Sequence, residues 1–291
     1  MNFQWYPGHM TKAKRQMEED IKLIDLVIEL LDARIPYASR NPDIDKLAAN
    51  KARLVLLNKA DMADPEKSKE WMQFFEQKGI PVCVLDSRNK KDMKQITQVV
   101  QQACAAKFER DRKRGIKNRP VRAMVAGIPN VGKSTFINTY AGKAAAKTGN
   151  KPGVTKGKQW IRLSSTVELL DTPGILWPKF EDQRVGLHLA LTGAIRDEIL
   201  NTEELAMELI HLLEKDYPEM LKGFYQWDEV PYEKYPEKPE AAILEAIALV
   251  RGCLAKGGEI DFLKAANLLL ENFRNGKIGR ITLERPDSEE A

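Results

Sequence analysis

The chain of 291 residues is long enough for about two domains, and its hydrophobic fraction of 43% is enough to build a sizeable core. A formal net charge of +4 is mildly basic, which argues against an obligate nucleic-acid binder. Asp25 and Glu29 interrupt the apolar run at residues 24–31, so we expect no membrane span. The three cysteines have no metal-binding spacing and the N-terminus has no apolar signal core, so we expect a cytoplasmic protein.

The first half of the chain alternates strand-like apolar runs with helical stretches. Residues 23–31, 53–57 and 81–85 predict three strands. Helices are expected near residues 66–78 and 92–110. This alternation is typical of an α/β fold, with a mostly parallel sheet and helices on both faces.

Residues 58–61, Asn-Lys-Ala-Asp, follow the second predicted strand, at the kind of strand end where doubly wound sheets bind ligands. The Asp61 carboxylate can accept hydrogen bonds from N1–H and the 2-amino group of guanine. Adenine offers neither donor there and would leave the carboxylate unpaired. We therefore predict that Asn58, Lys59 and Asp61 bind a guanine nucleotide, with the Lys59 stem along the base. The alternative is an ordinary polar loop.

The third predicted strand leads into Asp86, Ser87 and Arg88, where a second loop that contacts the base is expected. Such loops usually carry Ser-Ala followed by a polar residue. Arg88 departs from that pattern, so only Ser87 is predicted to contact the nucleotide.

A phosphate-binding loop is predicted at residues 127–134, Gly-Ile-Pro-Asn-Val-Gly-Lys-Ser. The β-prone run at residues 121–126 precedes it and a helical pattern follows, which is the context that this motif requires. Lys133 is expected to act catalytically on the β- and γ-phosphates of GTP, and Ser134 to hold Mg²⁺. Three neighbours are also predicted to contact the nucleotide: Val131, Gly132 and Thr135.

Asn130, inside this loop, has a side-chain carbonyl beside the expected phosphates. The loop resembles those of GTPases that bind K⁺ through an asparagine at this position, where the ion neutralises charge that develops in the transition state. Asparagine is also a common turn residue, so the alternative is that Asn130 only satisfies the loop backbone.

Two further elements of a magnesium site follow. Asp171, in Asp-Thr-Pro-Gly at residues 171–174, is expected to act on Mg²⁺, and the Gly174 N–H to contact the γ-phosphate. Thr155, in a glycine-containing loop upstream, is expected to complete the Mg²⁺ shell, the alternative being a surface loop residue. Ile175 stands where a water-orienting glutamine is usual, so we expect slow intrinsic hydrolysis.

His9 is the candidate for the missing water-orienting group. It lies in Pro-Gly-His-Met at residues 7–10, and imidazole can accept a proton or a hydrogen bond near neutral pH. The alternative is that His9 contacts RNA or caps the first helix. His188 and His211 lie in helical stripes of the C-terminal part and are expected to be packing or surface residues.

The order of these motifs is unusual. The usual GTPase has its phosphate loop first and its guanine-reading motif near the end, whereas this chain has them reversed. The parts are complete but rotated, which predicts a circularly permuted P-loop GTPase domain. We place it at residues 1–180, with the basic stretch 107–120 joining what are the two termini of an ordinary GTPase. That stretch suits a phosphate backbone, and its alternative is a solvated helix face.

After residue 185 the strand patterns stop. Asn201 followed by Glu204 predicts a helix start, and apolar stripes predict helices over residues 241–250 and 260–273. We therefore expect a small all-α domain at residues 181–291. Six of its basic residues could form an RNA-binding face: Arg251, Lys256, Lys264, Arg274, Lys277 and Arg280.

The chain resembles the ribosome biogenesis GTPase A (YlqF) family of circularly permuted GTPases. The matching segments are Trp-Tyr-Pro-Gly-His-Met at 5–10, Leu-Asp-Ala-Arg-Ile-Pro at 31–36, residues 58–61, residues 127–134, Pro-Gly-Val-Thr at 152–155, Leu-Asp-Thr-Pro-Gly-Ile-Leu-Trp-Pro-Lys-Phe at 170–180, Arg-Gly-Cys at 251–253 and Gly-Arg at 279–280. The resemblance implies a cytoplasmic factor in late assembly of the large (50S) ribosomal subunit that binds ribosomal RNA. It also favours the catalytic interpretation of His9, because this histidine belongs to the opening motif.

Two functions therefore stay open from the sequence. The first is a Mg²⁺-dependent GTPase, with K⁺ as a further cofactor, that the ribosomal particle stimulates and that contacts ribosomal RNA and ribosomal proteins as a monomer. The second is a GTP-dependent RNA-binding scaffold with negligible turnover, which Ile175 keeps open.

Overall fold

The computed structural model of the protein describes residues 18–117, 119–142, 160–170, 182–195 and 201–286. Within these residues, the first part is built around a six-stranded sheet and the C-terminal part is helical. Among the same residues, no helix is long and apolar enough to cross a membrane.

The sheet is mostly parallel, as predicted. Its strands in chain order are β1 (Leu26–Asp32), β2 (Ala52–Asn58), β3 (Val82–Val84), β4 (Val121–Ala126), β5 (Trp160–Arg162) and β6 (Val167–Leu170). The spatial order is β3-β2-β1-β4-β6-β5, and only the edge strand β5 is antiparallel to its neighbour. The four strands β1 to β4 therefore end at the same edge, where the loops after them meet.

The helices in chain order are α1 (Ile44–Leu47), α2 (Pro65–Gln77), α3 (Lys90–Ala103), α4 (Ala105–Lys113), α5 (Lys133–Ala141), α6 (Gln183–Leu191), α7 (Thr202–Asp216), α8 (Met220–Tyr225), α9 (Pro239–Arg251) and α10 (Phe262–Arg274). The stretch expected to be helical near residues 92–110 is helical in the structure, as two helices, α3 and α4, that Cys104 separates. No glycine or proline marks this break in the sequence.

Strand β1 shows why helices cover both faces of the sheet. All seven of its residues are buried, and successive side chains point to opposite faces. Leu26, Ile28 and Leu30 belong to the largest core, which includes α3 and the C-terminal helices. Val27 and Leu31 pack on the other face, near α1 and α2 respectively.

The C-terminal part is a packed group of helices in which α7, α9 and α10 contact one another. Asn201 caps α7 by accepting a hydrogen bond from the Glu204 N–H at 3.2 Å, as the sequence predicts. Gly252 ends α9 in the left-handed conformation, with φ of 63°.

After α10 the chain runs back to the sheet. The Ile281 N–H donates to the Met62 carbonyl at 2.9 Å, and the Leu283 N–H donates to the Arg34 carbonyl at 2.8 Å. We call residues 280–284 the C-terminal clasp. It packs against the loops that follow β1 and β2, so the C-terminal part contacts the edge of the sheet where the predicted guanine-reading motif lies.

Candidate nucleotide-binding site

One side chain joins three of the loops that the sequence predicts to bind nucleotide. The Asn58 amide donates through Nδ2 to the Val131 carbonyl at 2.7 Å. Its Oδ1 accepts from the Ser87 N–H at 2.9 Å and from the Ser87 Oγ at 2.7 Å. Asn58 and Ser87 are both buried. The guanine-reading motif, the Ser87 loop and the phosphate loop therefore converge, although up to 73 residues separate them in the chain.

Neighbouring atoms lie too close to Gly127 and Gly132 of the phosphate loop to leave room for a side chain. A Cβ added to Gly132 meets Asn58 Nδ2 at 2.6 Å, and Gly132 has φ of 101°, which disfavours other residues. A Cβ added to Gly127 meets the Leu30 carbonyl oxygen at 2.7 Å. These glycines let the loop lie directly against β1 and the guanine-reading motif.

Helix α5 begins at Lys133, so Ser134 and Thr135 lie in its first turn, where the helix N-terminus favours anions. Lys133 Nζ donates to the carbonyls of Gly127 at 2.9 Å and Ile128 at 3.0 Å. Burial lowers the pKa of Lys133 to about 8. A partly desolvated ammonium gains from a phosphate partner, so this arrangement suits a polyphosphate ligand. Ser134 is half-buried and Thr135 is exposed.

Asn130 lies at the exposed tip of the phosphate loop with φ of 59°, a left-handed conformation that asparagine tolerates. Its Nδ2 donates to the Gly193 carbonyl at 2.7 Å, just beyond α6. This bond uses the amide nitrogen, and a cation would take the carbonyl oxygen of the same side chain. Asn130 thus links the phosphate loop to the C-terminal part.

Lys59 and Arg34 form a buried ionic cluster around Asp32. Lys59 Nζ lies 2.9 Å from Asp32 Oδ2, and Arg34 donates through Nη2 to Oδ2 at 2.8 Å and through Nε to Oδ1 at 2.9 Å. Burial alone would raise the pKa of Asp32, but the two cations outweigh it and hold that pKa well below its usual range. Arg34 Nη1 also donates to the Arg274 carbonyl at the end of α10, at 3.2 Å.

Asp61, the expected guanine reader, is in the same loop and reaches solvent. Its Oδ2 accepts from Arg88 Nη2 at 2.6 Å. Arg88 also donates to Asp86, through Nε to Oδ1 at 3.0 Å and through Nη2 to Oδ2 at 3.0 Å. The Asp86 hydrogen bond is the main reason that the pKa of Arg88 is raised.

The C-terminal clasp holds the guanine-reading loop from the outside. Arg280 donates through Nη2 to the Ala60 carbonyl at 2.8 Å and through Nε to the Ala63 carbonyl at 2.9 Å. The buried Glu284 accepts from the Tyr37 N–H at 2.7 Å and lies 2.7 Å from His188 Nδ1. His188 is thus a packing residue, as expected, and the exposed His211 lies 3.0 Å from Glu240.

Several contacts of this site could not be found by sequence reasoning. Asp32 and Arg34 were recognisable only as part of a family motif, and nothing local pointed to the roles of Arg280 and Glu284. Arg88 was visible as a departure from the usual loop, without its partner. Four other predicted site residues lie outside the described residues: His9, Thr155, Asp171 and Gly174.

Some basic residues that the sequence offered as a nucleic-acid face have structural partners. Lys107 is buried and lies 2.8 Å from Asp111. Arg274 donates to the carbonyls of Ala190 at 2.8 Å and Leu191 at 3.0 Å. These side chains make contacts within the protein. A count of charges in the sequence cannot distinguish such residues from those of a binding surface.

Comparison with known proteins agrees with a guanine-nucleotide site. A family model described as 50S ribosome-binding GTPase matches residues 122–234. Ribosome biogenesis GTPase A of Priestia megaterium is 49% identical over 100% of this chain and 99% of its own length. Ribosome biogenesis GTPase A of Bacillus cereus is 49% identical over 99% of this chain and 95% of its own length. The crystal structure of GNP-bound YlqF from T. maritima is 29% identical, with a TM-score of 0.64, and the match covers 95% of this chain and 99% of that chain.

Proposed function

The chain belongs to the ribosome biogenesis GTPase A family and is a GTPase; on that premise, we propose that it acts in late maturation of the large (50S) ribosomal subunit and that the ribosomal particle stimulates its turnover. The observation that carries the nucleotide-binding part of the proposal is the junction at Asn58, which brings the guanine-reading motif, the Ser87 loop and the phosphate loop together. The relatives' names and the family model's description point to the ribosome as the partner.

Within this proposal, Asp61 reads the guanine edge and Lys59 lies along the base. The backbone of Val131, Gly132 and Thr135 faces the phosphates. Lys133 leaves its loop carbonyls for the β- and γ-phosphates, where its charge is favoured more strongly than beside those carbonyls.

The first turn of α5 fits a magnesium site, because the half-buried Ser134 follows Lys133 at the helix N-terminus. Thr155 and Asp171 would complete the ligand set, and the Gly174 N–H would contact the γ-phosphate. Mg²⁺ bound there supplies neutralisation of the charge on the phosphates. Asn130 would hold K⁺ through Oδ1 while its Nδ2 bonds Gly193.

Turnover is the direct test of the proposed activity. GTP hydrolysis should be slow alone, because Ile175 cannot orient water, and should accelerate when purified large subunits are added. Turnover that stays negligible with saturating subunits would support the second candidate, a GTP-dependent RNA-binding scaffold. Equal rates in potassium and sodium at matched ionic strength would remove the role proposed for Asn130.

His9 is proposed to orient the attacking water. We expect His9→Ala to lower the subunit-stimulated kcat by roughly ten- to a hundredfold, in line with a positioned acid–base group, with little change in GTP or subunit affinity. A variant that turns over GTP normally but no longer binds the large subunit would make His9 an RNA anchor.

We also propose that the GTPase domain covers residues 1–180 and that residues 181–291 form the ribosome-binding part of a cytoplasmic monomer. Lys256, Lys264 and Lys277 are exposed on that part. Lysine contacts to phosphate are salt-dependent, so RNA binding through them should weaken steeply as salt rises.

A further inference from the structure

Arg88 donates a hydrogen bond to the Asp61 carboxylate, which is proposed to recognise guanine. Its Nη2 lies 2.6 Å from Asp61 Oδ2, and both side chains reach solvent, with 59% of Arg88 and 34% of Asp61 exposed. Arg88 stands where the corresponding loops of similar GTPases usually carry alanine, a side chain that cannot make this contact.

The chemistry of the two donors is closely similar. A guanidinium group presents coplanar N–H donors in a fixed fork that matches a carboxylate. Guanine presents N1–H and its 2-amino group from the same N–C–N arrangement. Both groups can therefore donate to the same oxygens of Asp61. A guanine that uses both oxygens must displace Arg88 or share Oδ2 with it.

Arg88 does not depend on Asp61 for its position. The guanidinium bonds Asp86 through Nε and Nη2, and the Arg88 backbone N–H donates to Asp86 Oδ1 at 2.9 Å. Asp86 is fixed in turn, because its backbone N–H donates to Asp92 Oδ2 in the first turn of α3, at 2.9 Å. Arg88 can thus release Asp61 and keep a charged partner.

We infer that Arg88 sets the nucleotide affinity of the site by competing with the guanine edge for the Asp61 carboxylate. The competition weakens GDP and GTP binding and speeds release of GDP. This inference rests on the proposed role of Asp61. In the guanine pocket, Arg88 therefore opposes nucleotide binding, whereas a binding residue favours it.

The expected size follows from the exposure of the pair. Solvent-exposed ion pairs contribute little and are screened by salt, so loss of Arg88 should tighten nucleotide binding by roughly two- to fivefold. The sign is more informative than the size. Removing a cation near an anionic ligand ordinarily weakens binding, and here we expect the reverse.

Arg88→Ala tests the inference, with Lys91→Ala as the matched control. Lys91 is an exposed cation in the first turn of α3, close to Arg88 in the chain. Affinity and dissociation rate are measured with a fluorescent GDP analogue at low salt and at about 0.5 M salt, where the screening length is only a few ångströms. We expect Arg88→Ala to bind more tightly and release GDP more slowly at low salt, with the difference shrinking at high salt. Lys91→Ala should show no gain.

A double-mutant cycle identifies the partner. Asp61→Asn replaces the carboxylate with an amide that suits xanthine, and it removes the negative charge that pairs with Arg88. In that background, measured with xanthosine diphosphate, Arg88→Ala should give no gain in affinity.

Three outcomes would overturn the inference. They are unchanged or weaker GDP binding by Arg88→Ala, a gain that Lys91→Ala shares, and a gain that persists in the Asp61→Asn background. A wild-type protein that binds GDP no more tightly than ADP would instead remove the role of Asp61 itself, which separates failure of the proposed site from failure of this inference.

Discussion

The guanine side and the phosphate side of the site are built differently. The guanine side is held by two buried residues and by the clasp. Asn58 joins three loops, Asp32 pairs with two cations, and the exposed Arg280 bonds the loop carbonyls from outside. The phosphate side is held by its own loop. Lys133 bonds the carbonyls of Gly127 and Ile128, and the exposed Asn130 gives one bond to the C-terminal part.

This difference indicates which side chains stabilise the fold and which mainly bind the nucleotide. Asn58 and Asp32 are buried and satisfied by their partners, so removing one of them leaves a partner unpaired. Lys133 is partly desolvated and makes contacts that a phosphate can replace. Substitutions of these buried groups should therefore destabilise the protein, whereas substitutions on the phosphate side and at the exposed Asp61 should affect mainly nucleotide binding.

The largest effect is expected at Asp32. Asp32→Ala leaves Arg34, which is 1% exposed, without its carboxylate, and breaking a buried pair in this way costs about 3–5 kcal/mol of unfolding free energy. Denaturant unfolding measures it. The matched control is Asp45→Ala, since Asp45 also pairs with two arginines but is 54% exposed, and its loss should cost under about 1 kcal/mol. Equal losses for the two variants would contradict the comparison.

The pH dependence of the Asp32 effect has a defined sign. Because the folded-state pKa of Asp32 is held below its usual value, its stabilisation is present above about pH 4, near the ordinary carboxyl pKa, and is lost as the pH falls further. The stability difference between the wild-type protein and Asp32→Ala should therefore narrow between pH 5 and pH 3. A difference that widens on acidification would exclude this linkage.

The next effect belongs to the phosphate side. Lys133→Ala should lower GTP affinity by roughly 10- to 150-fold, the range for lost hydrogen bonds to a charged group. The melting temperature should hardly change, because burial of the ammonium is unfavourable in the protein itself. A nucleotide titration and a thermal melt check both parts. A large fall in melting temperature would make Lys133 a structural residue.

The smallest of these effects is expected at the clasp. Arg280→Ala removes two hydrogen bonds to the Ala60 and Ala63 carbonyls, so it should cost about 1–2 kcal/mol of unfolding free energy and weaken nucleotide binding. Lys277→Ala is the control, because Lys277 is exposed on the same part of the chain. If the two variants unfold and bind nucleotide alike, the clasp does not support the guanine side.

Local patterns were enough to predict most of the fold. The strands before Asn58, Ser87 and the phosphate loop, the start of α7 and the end of α9 all follow from apolar periodicity, capping residues or glycine positions. The break at Cys104 was not predictable, because no residue that disfavours helix stands there.

Contacts between distant segments explain the rest. Arg280 meets Ala60 across 220 positions, and Glu284 meets Tyr37 across 247. Neither contact has a signature in the local sequence, so Arg280 and Glu284 resembled ordinary surface residues. Arg88 carried a partial signal, its departure from the usual loop, but its contact with Asp61 depends on how β2 and β3 lie beside each other.

The central claim is that Asp61 reads guanine from a loop that the rest of the protein already holds in place. The most direct test is the nucleotide preference of Asp61→Asn, measured as the affinities for GTP and xanthosine triphosphate beside those of the wild-type protein. The amide offers a donor that matches the 2-oxygen of xanthine, so we expect GTP to bind more weakly and xanthosine triphosphate more tightly, with unchanged stability. An Asp61→Asn protein that keeps its full affinity for GTP would contradict the claim.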